Sequence, residues 1–246
     1  MPKTKRIKTI DAGRLHEAVI YTPPRNGDAR QQRDARKKAS TKAQAAANAK
    51  SQKKRLEYLI AANFTPADRF VTFNYREDDL PKNRRAARAQ LRATIKNIRS
   101  VRNRTGQGFK YIYTTEDVNG SGRIHHHLVV TAAPGDIEAL RSLWPYGEVD
   151  VETLGKYGDD QAGQASVYML KEWKPNGEQG FTCSKKMTPP TIKTEWIEDN
   201  YTITAPRGAI VLEEGKETTE FSEYYHLKYI RPVPDTDPEP QNRPTV

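Results

Sequence analysis

The segment Gly122-Arg-Ile-His-His-His-Leu-Val-Val130 places three consecutive histidines directly before a run of leucine and valine. Branched aliphatic residues at this density favour a β-strand. The preceding Asn119-Gly-Ser-Gly122 is typical of a tight turn, and Phe109 to Glu116 on its other side also has strand character. The stretch therefore predicts a β-hairpin, the basic unit of an antiparallel sheet.

The three histidines divide between the two faces of this strand, because successive side chains point to opposite sides. His125 and His127 share one face, and His126 lies on the other. Two imidazoles at this spacing can ligate one metal ion, either zinc or manganese or another divalent ion that takes six ligands. A solvated or partner-facing histidine cluster, or a chance run, is the alternative interpretation.

The hairpin supplies a third ligand. With Gly120-Ser121 as a two-residue loop, Glu116 lies opposite His125 and on the same face, since directly opposed residues in an antiparallel pair point the same way. Asp117 then lies opposite Ile124 on the far face. A loop longer by one residue would exchange the two carboxylates, so Asp117 is the alternative ligand.

A tyrosine and a lysine share one face of the next predicted helix, Ala162 to Trp173, because they are three residues apart. Beside a metal that polarises a phosphodiester, Tyr168 would be a covalent nucleophile. Lys171 could position the phosphate, favour the phenolate or protonate the leaving oxygen. Taken alone, the pair is a very weak signal and more often means a buried tyrosine beside a lysine that extends to solvent.

The remaining pattern mixes helices and strands. A helix containing Leu56, Leu59 and Ile60 is expected to end before Pro66. The further predictions are a strand over Phe70–Tyr75, a helix over Asp78–Arg102, a helix over Asp136–Trp144 with Asp136 as N-cap, a strand over Gly147–Leu154, and short β-like pieces at Tyr201–Thr204, Ala209–Leu212 and Tyr224–Ile230. This order favours the α+β class, with a central antiparallel sheet and helices packed on it.

The helix predicted after the first of these strands has two distinct faces. Its apolar residues recur at helical spacing and form a core stripe: Ala87, Leu91, Ile95 and Ile98. Its basic residues share another face: Arg84, Arg88, Arg92, Lys96 and Arg99. The stripe predicts packing against the sheet, and the basic face predicts contact with a polyanion.

Composition limits what the 246 residues can build. Hydrophobic residues make up 35% of the chain, against roughly 45–50% in a typical globular domain, so part of the chain is expected outside the core. We divide it into a basic N-terminal arm or helix (1–55), a central domain (56–190), a β-rich extension (191–230) and a disordered proline-rich tail (231–246). Met1 to Gly27 has no clear period and is expected to be extended or loosely ordered.

Several classes of protein are excluded at this point. The single cysteine, Cys183, rules out an internal disulfide and a cysteine-based zinc site. No apolar run approaches the ~20 residues that span a bilayer, and Met1 to Ile10 lacks the apolar region of a signal peptide. We expect a soluble protein of a reducing compartment, the cytoplasm.

The net charge of +10 is concentrated in two blocks. Arg25 to Arg55 holds eleven Lys or Arg and two Asp, and Lys82 to Arg104 holds nine Lys or Arg and no acid. Glu195 to Val246 is acidic, with five basic and eleven acidic residues. Such blocks indicate a polyanionic partner. Solvated helix faces are the alternative, and an anionic membrane fits less well because neither block has a broad apolar face with aromatics.

Three segments together resemble the motifs of HUH single-strand endonucleases, in the same order: Phe70-Val-Thr-Phe-Asn-Tyr75, Gly122-Arg-Ile-His-His-His-Leu-Val-Val130 and Val167-Tyr-Met-Leu-Lys-Glu172. The resemblance is to the rolling-circle replication initiators of bacterial phages and plasmids. It covers roughly Leu56 to Pro190. The histidine motif with its Gly-Arg lead-in is fairly specific, whereas the other two gain weight from order and spacing.

The resemblance implies a set of roles. His125 and His127 match the paired metal ligands, Glu116 matches the carboxylate on the neighbouring strand, Tyr168 matches the nucleophile that cuts one strand and stays joined to the 5′-phosphate, and Lys171 matches the lysine that follows it. The implied cofactor is Mg²⁺ or Mn²⁺. The implied reaction is a metal-dependent transesterification at an origin, which leaves a 5′-phosphotyrosine and a free 3′-OH for rolling-circle replication in a bacterial host.

The chain departs from the motifs in three places. The position between the ligating histidines is usually bulky and apolar but here is His126, which we expect to make that face more polar. The first motif ends Thr72-Phe-Asn74 rather than Thr-x-Thr. Tyr168 has no second tyrosine three or four residues on, so the site is of the one-tyrosine type. Tyr157 and Tyr146 are fallback nucleophiles in glycine-rich loops.

The expected partner is single-stranded DNA or an origin hairpin. Phosphate contacts from lysine and arginine would supply most of the affinity, and aromatic side chains would stack on bases. Besides Arg25–Arg55, the residues predicted to contact DNA are Thr72, Asn74, Arg84, Arg88, Arg92 and Arg123. Gly155-Lys156 does not complete a phosphate-binding loop, so a host helicase and polymerase are expected to act with the protein. A homodimer would supply a second tyrosine for rejoining.

Other functions remain open from the sequence. A relaxase or a one-tyrosine transposase would keep the same site. A non-catalytic nucleic-acid-binding protein would keep the sheet without the chemistry. A zinc hydrolase would use the two histidines and the glutamate without Tyr168.

Overall fold

The computed structural model describes residues 4–23, 42–117, 123–173, 179–218 and 223–231. The predicted turn at Asn119–Gly122, most of the first basic block and the tail after residue 231 lie outside these residues. Among the described residues, no helix has the length and apolar character that crossing a membrane requires.

The described residues form two antiparallel five-stranded sheets and four α-helices. The strands are β1 (Lys5–Ala12), β2 (Leu15–Tyr21), β3 (Arg69–Asn74), β4 (Tyr111–Asp117), β5 (Ile124–Val130), β6 (Val149–Thr153), β7 (Thr182–Cys183), β8 (Thr191–Ile197), β9 (Ile210–Thr218) and β10 (Glu223–Ile230). The helices are α1 (Lys42–Asn63), α2 (Arg84–Arg104), α3 (Asp136–Ser142) and α4 (Gln161–Met169). The predicted α+β class is confirmed.

The central sheet has the strand order β6-β3-β5-β4-β7. One of its faces packs against α2 and α3, where Leu91, Ile95 and Ile98 of α2 are buried as the core stripe predicts. The sheet side chains in this layer alternate along the strands and are Val71, Phe73, Tyr113, Leu128 and Val130. Because this face of the central sheet is covered by α2, the alternate side chains of the same strands point to the opposite face.

The opposite face of the central sheet carries α1 and α4. These helices bury Phe70, Ile112 and Val129, which lie side by side in the strand register. The same strands continue past this cluster to a polar end that holds Glu116 and His125. The change from apolar to polar along one face places the candidate site next to the end of α4.

The terminal sheet has the strand order β8-β1-β2-β10-β9, so it joins the two ends of the chain. Its first two strands lie in the region expected to be extended or loosely ordered, and they form a paired hairpin instead. Helix α1 also runs without a break across residue 55, where we placed a boundary. The division into arm, central domain and extension remains a prediction, but its first and third segments share one sheet.

Three helices have ends that differ from the predictions, and the start of α2 has a local reason. Helix α2 begins at Arg84 rather than Asp78, because Leu80 precedes a proline and adopts an extended backbone, and Asn83 then caps the helix by accepting from the Ala86 N–H at 3.0 Å. Helix α3 is capped by Gly135 at φ +71° rather than by Asp136. Helix α4 ends at Met169 rather than at Trp173.

The extension after Pro190 is only partly as expected. Its strands β9 and β10 cover the predicted pieces at Ala209–Leu212 and Tyr224–Ile230. Tyr201–Thr204 is irregular backbone rather than a strand, whereas β8 was not predicted. Strand β8 has six exposed residues in a row, so it lacks the apolar alternation from which a strand is recognised.

The terminal sheet meets α1 through a buried carboxylate, Glu17. Tyr58 donates to it at 2.6 Å, Lys54 forms an ion pair with it, and His226 Nε2 lies 3.0 Å away. Burial opposes ionisation of this group, but these partners outweigh burial and lower the pKa of Glu17 to about 2. The contact therefore holds the sheet against α1 as an ionised cluster.

This pKa predicts a specific acid sensitivity. The ordinary pKa of the group is 4.5, so stability from Glu17 is complete above that pH and is lost as pH falls towards 2. We expect Glu17→Gln to be less stable than wild type at neutral pH by about 3 kcal/mol, and the difference to shrink over this window. Urea unfolding at pH 2 to 6 measures it, with exposed Glu195→Gln as the control. A constant difference across that range would contradict the assignment.

Candidate metal centre and active site

The observed register between β4 and β5 agrees with the one predicted from a two-residue loop at Gly120-Ser121. Glu116 pairs with His125, and Asp117 pairs with Ile124. Glu116 therefore lies on the face of His125 and His127, and Asp117 lies on the other. The register thus places Glu116 rather than Asp117 beside the two histidines, and a one-residue slip would have reversed the two carboxylates.

Glu116, His125 and His127 bring their donor atoms together. Glu116 Oε2 lies 3.5 Å from His125 Nε2 and 3.7 Å from His127 Nε2, and the two Nε2 atoms are 3.1 Å apart. One donor atom from each residue lies within 4.8 Å of the others, a group that could hold a metal ion. Two imidazoles and a carboxylate are ligands that zinc, manganese and related divalent ions accept.

The hydrogen bonds around this group fit a cation. Both carboxylate oxygens of Glu116 are buried and have no hydrogen-bond partner among the described residues. The other ring nitrogen of each histidine is already engaged: His127 Nδ1 lies 3.1 Å from Thr72 Oγ1, and His125 Nδ1 lies 3.3 Å from the Arg123 carbonyl. The Arg123 carbonyl can only accept, so a neutral His125 donates from Nδ1 and keeps its Nε2 lone pair. In the tautomer in which His127 donates from Nδ1 to Thr72, its Nε2 also presents a lone pair, as in metal-ligating histidines.

The electrostatics leave the group in the state that binds metal. Burial lowers the pKa of His127, with Glu116 opposing the change. Burial would raise the pKa of Glu116, but the two neighbouring imidazoles outweigh it and the pKa is lowered. At neutral pH the carboxylate is ionised and His127 is neutral, and a metal ion needs ligands in these forms.

Tyr168 lies against this group. Its ring is edge-on to His127, with the centroids 4.9 Å apart, and it also packs on Phe70 at 5.8 Å. The side chain is 40% exposed. Lys171 follows just past the end of α4, with its Nζ 4.8 Å from the centroid of the tyrosine ring. The structure thus brings the predicted nucleophile and its lysine to the predicted metal ligands.

An open, polar depression of about 590 Å³ surrounds these side chains. It is lined by Thr72, Asn74, His125, His127, Arg141, Asp150, Val151, Glu152 and Tyr168. Asn74 donates to Asp150 at 3.0 Å across the β3–β6 pair. Arg141, Asp150 and Glu152 also line the depression and were not predicted. The carboxylates of Asp150 and Glu152 alternate with valines along β6. This alternation would have placed them on the face of the site if the pairing of β6 with β3 had been known.

Residues 68–173 match the family model for Replication-associated protein ORF2/G2P. The match suggests a replication initiator. It runs from the residue before strand β3 to four residues past the end of α4, and so includes the three candidate metal ligands, Tyr168 and Lys171. Comparisons with curated proteins and with solved structures found no match.

Within the matched region, the predicted DNA contacts fall in different places. Thr72 and Asn74 line the depression. Arg88 and Arg92 are on α2, which packs on the opposite face of the central sheet. Arg84 lines a small cavity of about 40 Å³ at the end of β4. Arg123 is exposed beside the metal centre, and its contact with DNA, like the others, remains a prediction.

His126 does not leave a polar face, contrary to our expectation. It is fully buried between the sheet and α2, with Tyr75 Oη 3.0 Å from its Nε2 and Thr115 Oγ1 2.9 Å from its Nδ1. Burial, reinforced by the charges of His125 and His127, lowers its pKa to about 3. His126 is therefore a neutral core residue whose two nitrogens both have partners.

The fallback nucleophiles are less well placed. Tyr146 packs on Trp144 at 5.1 Å, in the layer of α3 on the far side of the central sheet. Tyr157 packs edge-on against Phe70 at 5.4 Å, and burial raises its pKa to about 12. Neither lines the depression, whereas Tyr168 does.

The contact between Thr72 and His127 gives a prediction about the metal centre. We expect Thr72→Val to weaken Mn²⁺ binding by roughly 10-fold or more, because the hydroxyl fixes the orientation of the imidazole. Isothermal titration calorimetry measures the affinity. Thr114→Val is the matched control, since the Thr114 hydroxyl is buried without a hydrogen-bond partner among the described residues. Equal affinities for the two variants would contradict the orienting role.

Proposed function

We propose that the protein is a replication initiator of the HUH endonuclease type, which nicks single-stranded DNA at an origin. The observation that carries the proposal is the position of Tyr168 against His127, at the edge of a group of two imidazoles and a buried carboxylate. The match to a replication-associated family supports the same role. The open depression is the place where a polynucleotide would reach these side chains.

Glu116, His125 and His127 would hold Mg²⁺ or Mn²⁺. The ion would polarise the scissile phosphate and neutralise the charge that develops on it during attack. Thr72 keeps the Nε2 atom of His127 directed to the centre. Asn74 and the carboxylates of β6 line the same depression, so they would position the nucleotide on the side opposite α4.

Tyr168 would carry out the strand transfer. Its phenolic oxygen forms a bond to phosphorus and the bond from phosphorus to the 3′ oxygen breaks, which gives a 5′-phosphotyrosine and a free 3′-OH. The phenolic proton leaves to solvent, and the departing oxygen takes a proton, which the Lys171 ammonium beside the Tyr168 ring would supply. The free 3′-OH then primes synthesis by a host polymerase.

The single tyrosine of α4 has a consequence for the cycle. Tyr168 stays joined to DNA after one cut, and joining occurs when a new 3′-OH attacks the phosphotyrosine and releases the phenol. The second cut that makes this 3′-OH needs a tyrosine from another subunit, or it needs a second round. We therefore propose a homodimer as the form that completes replication. A host helicase would supply unwinding in the bacterial cytoplasm.

The function is tested by looking for the covalent adduct. Single-stranded oligonucleotides that tile the gene and its flanks are labelled at the 3′ end, incubated with the protein and Mn²⁺, and run on a denaturing gel. We expect a labelled species of protein size for one oligonucleotide and none when EDTA replaces Mn²⁺. Binding without cleavage would favour a non-catalytic binder. Cleavage without an adduct, with zinc tightly bound, would favour a hydrolase.

A further inference from the structure

A second groove, on the other side of α1, has no residue in common with the depression at Tyr168. Its volume is about 930 Å³, and it lies between α1, the start of β8 and the segment that follows β7. Its lining residues are all in the ranges 8–10, 47–59 and 183–192. All of them therefore lie outside residues 68–173, the part that matches the replication-associated family.

The charge of the groove is of one sign. Five basic side chains line it and no acidic one does, among the described residues: Lys8, Lys50, Lys54, Arg55 and Lys185. Lys54 is paired with Glu17, and Arg55 stacks over Phe181 at 5.5 Å. The other three lysines are exposed and come from three separate segments of the chain, so the fold rather than a local run brings them together.

The floor of the groove is apolar. Ile10 on β1 pairs directly with Ile192 on β8, and Leu59 and Met187 lie beside them. Ile192 is 52% exposed. An apolar floor under a basic rim suits a ligand that has an anionic backbone and flat apolar groups. The backbone would contact the basic side chains, and the flat groups would contact the apolar floor.

Past Ile10 and Ile192, the same sheet face continues as a track that carries two basic side chains on β1 and an indole on β8. On β1 and β8 the next opposed pairs are Lys8 with Thr194 and Arg6 with Trp196. The indole of Trp196 is 51% exposed, and the Arg6 guanidinium lies over it at 5.1 Å. An exposed indole on a basic strand pair is a surface on which a nucleic-acid base can stack.

We propose that this groove and the Trp196 track bind single-stranded DNA at a site separate from the nicking site. Lys8, Lys50 and Lys185 contact phosphates, and the apolar floor and Trp196 contact bases. A duplex hides its bases, so it could use the lysines but not the floor or the indole. The inference takes DNA as the partner from the proposed function, and it adds a holding site that the matched region does not contain.

Binding of a fluorescein-labelled dT oligonucleotide, measured by anisotropy in EDTA over a range of salt, tests the phosphate contacts. For Lys8→Ala/Lys50→Ala/Lys185→Ala we expect the slope of log K against log salt to lose about 2, since each single-strand phosphate contact contributes about 0.7. The control is Lys193→Ala/Arg207→Ala/Lys216→Ala, which removes the same charge elsewhere on exposed positions. An unchanged slope, or an equal change in the control, would overturn the proposal.

A second variant separates stacking from charge. We expect Trp196→Ala to lower the affinity for the dT oligonucleotide on the order of tenfold while the salt slope stays the same, because stacking releases no counterions. Tyr201→Ala, which removes another exposed aromatic ring, is the control and should bind normally. Wild-type affinity in Trp196→Ala would exclude the track as a base platform.

The assay also distinguishes this proposal from the proposed function. EDTA prevents cleavage, so loss of binding in the lysine variant supports the groove even if no adduct ever forms with Mn²⁺. If the adduct forms normally and the groove variants bind DNA like wild type, the proposed nicking function is supported and the proposed second binding site is overturned. RNA or duplex DNA bound as tightly as the dT oligonucleotide would overturn the assignment to single-stranded DNA.

Discussion

Tyr168→Phe is expected to abolish the covalent protein–DNA adduct and to lower nicking by at least about three orders of magnitude, because removal of a covalent nucleophile leaves only binding and electrostatic contributions. The substitution removes the phenolic oxygen and nothing else. The edge-on contacts of the ring with His127 and Phe70 remain available to phenylalanine, so the fold and the metal centre should be unchanged. The measurement is the denaturing-gel assay with 3′-labelled DNA and Mn²⁺.

Tyr157→Phe is the matched control for this experiment. Tyr157 also packs on Phe70, and it lies near the site without lining the depression. It should form the adduct at the wild-type rate. If Tyr168→Phe forms the adduct normally and Tyr157→Phe does not, the nucleophile is Tyr157, in the segment before α4. Loss of the adduct in both variants would point to damage of the shared aromatic packing rather than to chemistry.

The grouping of Glu116, His125 and His127 could be predicted from sequence because it depends on local rules. The alternation of a strand separates His126 from its neighbours, and the register counted from an assumed two-residue loop agrees with the observed pairing of Glu116 with His125. Both rules act over fewer than fifteen residues, so no knowledge of the tertiary structure was needed. The resemblance to HUH enzymes added Tyr168, whose motif is too short to be informative without its neighbours in the chain.

Other parts of the site could not be predicted because they depend on long-range pairing. Asp150 and Glu152 join the depression only because β6 pairs with β3, about eighty residues earlier in the chain. The burial of His126 depends on α2 packing over it, and Trp144 completes that layer. A sequence shows that a face is polar or apolar, but not which element will cover it.

The terminal sheet illustrates the same limit on a larger scale. Its central strands β1, β2 and β10 come from opposite ends of the chain, so neither end shows a complete amphipathic unit by itself. Two of the three β-like pieces predicted in the C-terminal extension correspond to β9 and β10, whereas their partner strands near Lys5 and Leu15 lie in a region expected to be extended or loosely ordered. The pairing also explains why α1 is long: its second half packs on both sheets through Leu56 and Tyr58.

Glu116→Gln is expected to separate metal binding from folding. Glutamine keeps the volume of glutamate, and its amide can donate to the nearby imidazole nitrogens, so the unfolding midpoint without metal should stay close to wild type. The variant loses one of three ligands and the only anionic one. We expect its Mn²⁺ affinity to fall by more than the roughly 100-fold that loss of an outer hydrogen bond can cause, and nicking to fall with it.

Thermal unfolding with and without Mn²⁺ measures this effect without any DNA. A ligand at a hundred times its dissociation constant stabilises the folded state by about 2.7 kcal/mol, so wild type should melt at a higher temperature with Mn²⁺ and Glu116→Gln should not. Asp117→Asn is the control, because that carboxylate is one residue away and on the other face of β4. If Asp117→Asn lost the shift and Glu116→Gln kept it, the carboxylate ligand would be the wrong one. If both kept it, the ion would bind outside this centre, and Tyr168 would have no activated phosphate beside it.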